Sequence, residues 1–353
     1  MADNPYKSYE RKAFWAQAVA QSAPHALSGV YDPKFEIRAT DRIATAGSCF
    51  AQHIGRALRA QGFAVLDKEP APPFMPPDAK GKFGFGLYSA RYGNIYTARQ
   101  LRQTIERAEG AFRPLDEAWS DGERCFDPFR PNIEPEGFAG LEALRADRAH
   151  HLRMVAELVA EADLFIFTFG LTEAWRDRRD GAVYPTCPGT VAGEFDETQH
   201  EFVNFGFMEV LEDFERFREM AKRANPDMRF LVTVSPVPLT ATASGDHVLP
   251  ATVYSKSVLR AVCGELRARH DDVDYFPSYE LIASHPMRGM WFEANLRSVS
   301  NVGVEQVMKT FVAAMNLNGE EAPQTAPAAP APAREPHPDD LVCEEELLAG
   351  FAK

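Results

Sequence analysis

The sequence predicts an α/β protein: a three-layer α/β/α sandwich around a mainly parallel sheet, with a wrapping insertion and an unfolded C-terminal tail. Three observations carry this expectation. Five short segments are apolar on both faces, as strands buried in a parallel sheet are. Helical periodicities alternate with them along the chain, which is the order of a doubly covered sheet. A composition of 45% hydrophobic and 25% charged residues over 353 positions suits a globular chain able to bury a full core.

Taken in order, residues 1–39 read as an N-terminal extension packing on the core. The α/β domain is expected over 40–319. Its strand candidates are Ile43–Ala46, Ala64–Leu66, Leu164–Thr168, Phe230–Ser235 and Val273–Pro277. Helical patterns fill 50–61, 97–109, 147–161, 205–224, 250–269 and 303–315. The excursion at about 67–145 contains APPFMPP and DPFRPNIEPEG, turn-rich runs that predict wrapping around the core rather than further sheet. Residues 320–353 form a linker and an acidic tail. The run 321–340 holds six prolines and six alanines and has little to bury. The closing LVCEEELLAGF reads as a frayed terminus or as a docking peptide for a basic, grooved protein partner.

The net charge of −13 argues against nucleic acid as a partner, because phosphate binding needs a basic face. Five cysteines without CxxC spacing argue against a zinc cluster or disulfide framework and fit a reducing compartment. The N-terminus MADNPYKSYERKAFW lacks an apolar h-region, and LFIFTFGL at 164–171 is too short to span a bilayer. A cytoplasmic protein without a membrane span is expected. Neither a cofactor nor a metal site is expected, and neither GxGxxG nor GxxxxGK[ST] occurs.

In a parallel α/β sheet, ligands gather where strands end and helices begin. The first such junction reads ATAGSCFAQHIGRAL, with Ser48 following Gly47 at the start of a helix. The glycine permits a tight turn, and the helix N-terminus presents unpaired N–H groups to an oxyanion. That geometry suits a serine nucleophile, although a serine at a helix start is more often a simple N-cap. Cys49 shares the position and opens a thiol alternative.

Gly47-Ser48-Cys49-Phe50-Ala51 spells the signature of the GSCFA family, and residues 40–315 resemble that family and the wider SGNH/GDSL hydrolases. The resemblance implies an α/β/α fold with Ser48 as the nucleophile. Tyr92-Gly93-Asn94-Ile95-Tyr96-Thr97 is similar to a GNIYT-type block, so Gly93 takes an oxyanion-hole position with Asn94 beside it. In Phe169-Gly170-Leu171-Thr172-Glu173-Ala174-Trp175, Thr172 stands where the hydrolases carry an asparagine. In the last block, Trp291 to Ser298, Asn295 and Ser298 stand in place of the catalytic Asp and His.

Ser298 cannot serve as a base near neutral pH, so the imidazole must come from elsewhere. His247, in the long loop Ser235–Pro250, is the preferred candidate, and His285 in Ser284-His285-Pro286 is the alternative. His53 lies on the Ser48 helix and reads as a packed or exposed helix residue. Ser235-Pro236-Val237 and Ser255-Lys256 also match the family's pattern.

The resemblance implies a serine esterase or O-acyltransferase acting on an ester, most naturally an acetyl group of a sugar or polysaccharide. A catalytically degenerate protein that binds a glycan or protein partner is the competing reading.

Overall fold

The computed structural model describes residues 4–315 and 347–351. In chain order the first elements are β1 (Ile43–Gly47), α1 (Ala51–Ala60), α2 (Pro77–Lys80), α3 (Ala98–Ala108), β2 (Trp119–Asp121) and β3 (Arg124–Phe126). Next come α4 (Leu141–Glu161), β4 (Leu164–Phe169), β5 (Glu173–Asp177), β6 (Val183–Tyr184), β7 (His200–Asn204) and α5 (Phe207–Ala224). The chain continues through β8 (Arg229–Val234), α6 (Val248–Arg269), β9 (Val273–Tyr275), α7 (Ser278–Ala283) and α8 (Asn301–Met315).

The central sheet has the order β1-β4-β8-β9, all parallel. The expected strand at 64–66 contracts to one parallel bridge, Ile43 to Val65, on the outer edge of β1. The alternation inside β4 shows why the sheet is covered on both sides. Phe165, Phe167 and Phe169 face one layer, where α3, α4, α5 and α6 contribute Leu101, Val155, Phe214 and Leu259. Leu164 and Ile166 face the other, with Ile54 of α1, Ile282 of α7 and Phe311 of α8. Each of these β4 side chains is at most 2% exposed, and full burial of one contributes roughly 2–3 kcal/mol. Tyr31 and Ile37, from before β1, are buried in the second layer, and the Tyr31 hydroxyl donates to Asp274 at 3.0 Å.

Two features depart from a simple alternation. β6-β5-β7 forms a separate antiparallel sheet directly after β4, and β2-β3 forms a hairpin within the insertion. The expected tail and linker at 320–346 lie outside the described residues.

The insertion is tied to α4 by a buried charge network. Arg91 bonds Glu134 at 3.1 Å and Asp147 at 3.0 Å, and Arg130 bonds Asp127 at 3.0 Å and Asp147 at 2.7 Å. Glu69 accepts the Arg91 backbone N–H at 2.6 Å and the His151 ring N–H at 2.7 Å. Burial, joined by the Arg130 charge, pulls His151 from 6.5 down to about 4 against the attraction of Glu69. Burial alone would raise Glu69, but the His151 hydrogen bond and charge outweigh it and hold the carboxyl at about 2.

Both shifts make stability fall with acid. Between pH 6.5 and about 4 the unfolded chain takes up a proton that the folded imidazole refuses. Below about 4.5 the unfolded Glu69 does the same, and its contribution is lost towards pH 2. Urea midpoints should therefore drop from pH 7 to pH 4.5 by an amount equivalent to on the order of 2–3 kcal/mol. A parent midpoint that stays flat over that range contradicts the assignment.

Candidate functional site

The strand order places a switch point between β1 and β4, because α1 carries the chain from β1 outwards to Val65 while β4 lies on the opposite side. Crevices open at such points, at the C-terminal ends of the strands. Ser48 is there. Its N–H donates to the Thr168 carbonyl at 3.1 Å as the last rung of the β1–β4 ladder, and its carbonyl accepts from Ala51 at 2.8 Å as α1 begins. Gly47 makes the turn at φ +135°, where an added Cβ would lie 2.5 Å from the Thr168 carbonyl oxygen. Ser48 is 3% exposed, and its hydroxyl is enclosed without a hydrogen-bond partner among the described residues. A buried, unbonded hydroxyl costs about 1–3 kcal/mol; Thr45, Thr168, Thr186 and Thr240 share that state, and Ser48 is set apart by its place at the turn into α1.

The loop after β4 forms the facing wall. A Cβ on Gly170 would come within 3.0 Å of the Ser48 Cβ, so only glycine allows this approach. The N–H groups of Gly170 and Leu171 both donate to the Tyr96 carbonyl, at 2.9 and 3.0 Å. From α6, Lys256 Nζ donates to the Gly170 carbonyl at 2.7 Å, and Ser255 Oγ accepts the Thr172 N–H at 3.1 Å. The Thr172 hydroxyl donates to Asn204 Oδ1 of β7 at 2.7 Å. Its single proton is thereby directed to Asn204.

The third wall is residues 92–97. Ile95 N–H donates to the Gly47 carbonyl at 2.9 Å, which fixes the segment beside the Ser48 turn. A capping box at Thr97 and Gln100 starts α3 immediately afterwards, and Gln100 Oε1 also accepts from Tyr96 N–H at 3.0 Å. Gly93 is buried, and its N–H meets no acceptor among the described residues. Asn94 is 2% exposed and accepts the Tyr88 hydroxyl proton at 2.6 Å, so the amide oxygen faces Tyr88 and the NH2 faces away. Tyr88 in turn receives Gln52 of α1 at 3.3 Å.

The structure thus brings Ser48, Gly170 and the 92–97 segment together, and α6 joins them. Val248 and Ala251 pack with Cys49, Tyr96, Leu171 and Leu239 in one apolar cluster beside the serine. Neither candidate imidazole is hydrogen-bonded to Ser48. His247 is exposed and caps α6, its Nδ1 accepting the Leu249 N–H at 3.1 Å. His285 is exposed and stacks on Trp15 with ring centroids 5.3 Å apart. His53 meets the Phe50 ring edge-on at 5.6 Å.

Asn295 and Ser298 lie on a short exposed hairpin bridged from Phe292 to Val299, and Asn295 Nδ2 donates to Ser298 Oγ at 3.0 Å. The sequence by itself assigns Lys256 no role. It is 1% exposed, and its Nζ bonds the carbonyl of Gly170, the residue that faces Ser48. The signal was present in the Ser255-Lys256 pair, but an isolated lysine on a helix pattern reads as a solvated residue.

The fold defines an α/β/α protein with a mainly parallel sheet, and Ser48 lies at the carboxyl edge of that sheet. Within that class the chain belongs to the GSCFA family, whose sequence model matches residues 42–311. No curated protein matches the chain. Among the described residues, no helix is long and apolar enough to cross a membrane.

Proposed function

We propose that the protein carries out acyl chemistry on an ester, with an acetyl group of a sugar or polysaccharide as substrate and an acyl-Ser48 intermediate. The observation that carries this reading is the enclosed, unbonded Ser48 hydroxyl at the β1–β4 switch point. In the first half-reaction a base takes the Oγ proton as the oxygen attacks the ester carbonyl carbon. Gly93 N–H and the Asn94 amide are the proposed donors to the resulting oxyanion. The alcohol leaves with the proton, and water or an acceptor hydroxyl then releases the acyl group from Ser48. Exclusion of water from the site determines whether the outcome is hydrolysis or transfer.

Three groups compete for the base. His247 accepts an N–H at Nδ1, so its neutral ring carries the proton on Nε2 and must give up its capping bond before it can act. His285 would have to leave the Trp15 ring. Lys256, buried with its Nζ on the Gly170 carbonyl beside the Ser48 turn, is the third candidate on position alone. Acylation of Ser48 by an activated acetyl ester, followed by intact-protein mass, tests the three. Lys256→Met is expected to slow acylation by about 100-fold or more. His247→Ala is expected to leave the rate near the parent's while destabilising α6 by about 1 kcal/mol as a lost cap. The reverse pattern assigns the base to His247, and a loss confined to His285→Ala assigns it to His285.

A second reading, binding of an acylated glycan without turnover, is favoured by the Asn295–Ser298 pair in the place of a catalytic dyad. Failure of the parent to acylate, together with binding of an O-acetylated oligosaccharide, would select it.

A further inference from the structure

Behind the 92–97 segment lies a cavity of about 20 Å3 between α3, α4 and the insertion. Its polar lining includes Arg107, Arg130, Asn94, Gln100, Gln103 and His151, and none of the eleven lining residues is acidic. Two guanidiniums and no carboxylate therefore line this space, the nearest carboxylates standing behind its wall.

The two arginines differ. Arg130 is neutralised from behind by Asp127 and Asp147. Arg107 is 8% exposed and lies over the Phe129 ring at 4.0 Å, and its guanidinium makes no hydrogen bond or ion pair among the described residues. The nearby carboxylate of Asp127 is already occupied by Arg130, Arg148 and the Phe129 N–H. Burial, reinforced by the charges of Arg148 and Arg130 against the attraction of Asp127, pulls Arg107 down to about 9. A buried cation without a bonded partner is costly, and it is seldom kept without a counter-charge. Gln100 adds a donor: its Oε1 is taken by the 96–97 backbone, and its Nε2 meets no acceptor among the described residues.

We propose that this cavity binds a small monovalent anion, a halide or the carboxylate head of a small acid, held by Arg107 with Arg130 and Gln100. The volume matches one such group, being slightly more than a single water requires. Asn94 and Ile95 line the same cavity, so the anion braces from behind the segment that lies beside Ser48.

Thermal unfolding of the full chain in chloride, in acetate and in the bulky anion gluconate, at equal ionic strength, tests the proposal. Chloride or acetate should raise the midpoint by about 4 °C over gluconate, and whichever does so identifies the class of anion. The increment should vanish in Arg107→Met. Crystals of the parent soaked in bromide should show an anomalous peak within contact distance of Arg107, a readout that stands even if the variant fails to fold. Equal midpoints in all three salts with no bromide peak would mean that the cavity holds water, and the proposal falls. An increment retained in folded Arg107→Met overturns it as well.

Discussion

Ser48→Ala is expected to abolish acylation by an activated ester, a loss of about 1,000-fold or more, and at the same time to stabilise the protein. The two effects share one cause. The hydroxyl is enclosed and unbonded, so the folded state bears its desolvation without a compensating hydrogen bond. Alanine removes the polar group while keeping the Cβ that packs against Gly170. A gain of about 1 kcal/mol in urea unfolding, alongside complete loss of labelling, is the signature of a residue held for chemistry. If the variant is instead destabilised, the hydroxyl serves the fold and the nucleophile assignment fails. If it keeps parental labelling, the acyl group resides elsewhere, with Cys49 the first residue to examine.

Asp127→Asn should be among the most destabilising single changes in the protein, at about 3–5 kcal/mol. Asp127 is 1% exposed, and its two oxygens receive Arg130 and Arg148. Burial would raise its pKa, but the Arg130, Arg148 and Arg107 charges outweigh burial and hold the carboxyl far below the usual range. The asparagine is isosteric, so no cavity forms; what it leaves is the buried Arg130 and the half-buried Arg148 without their shared carboxylate. Glu142→Gln, at the exposed end of an ion pair with Arg145, removes the same charge in water and should hardly move the transition. Similar urea midpoints for the two variants would show that the network is solvated and contributes little.

The parallel core was legible because its signal is local. Leu164–Phe167 is apolar at every position, and only a strand covered on both faces sustains that composition in so short a run. The six helical patterns fall within a few residues of the observed helices, apart from α4, which begins six residues earlier, at Leu141. The antiparallel sheet β6-β5-β7 was not legible. Its outward positions carry Arg176 and Glu201, which pair across the strands, so apolar periodicity is absent.

The site divides in the same way. Ser48 and Gly93 sit in contiguous motifs whose local backbone makes the turn, and sequence suffices to mark them. The partner of the serine depends on contacts across long sequence separations. His247 reaches the right edge of the sheet, yet its ring serves its own helix, a choice made by a two-residue hydrogen bond that the sequence does not announce. Lys256, an ordinary helix residue in sequence, is buried by the loop after β4.

The Tyr96 carbonyl accepts two N–H groups from the β4 loop, while its neighbour Ile95 donates to Gly47. Three stretches of chain, some 50 and 75 residues apart, therefore share one small knot of backbone bonds. None can swing out alone, because each release would strand the polar groups of the other two. In hydrogen exchange the amides of Ile95, Gly170 and Leu171 should then open as one cooperative unit, at a free energy near that of global unfolding. The backbone around Ser48 should then be as rigid as the core of the sheet.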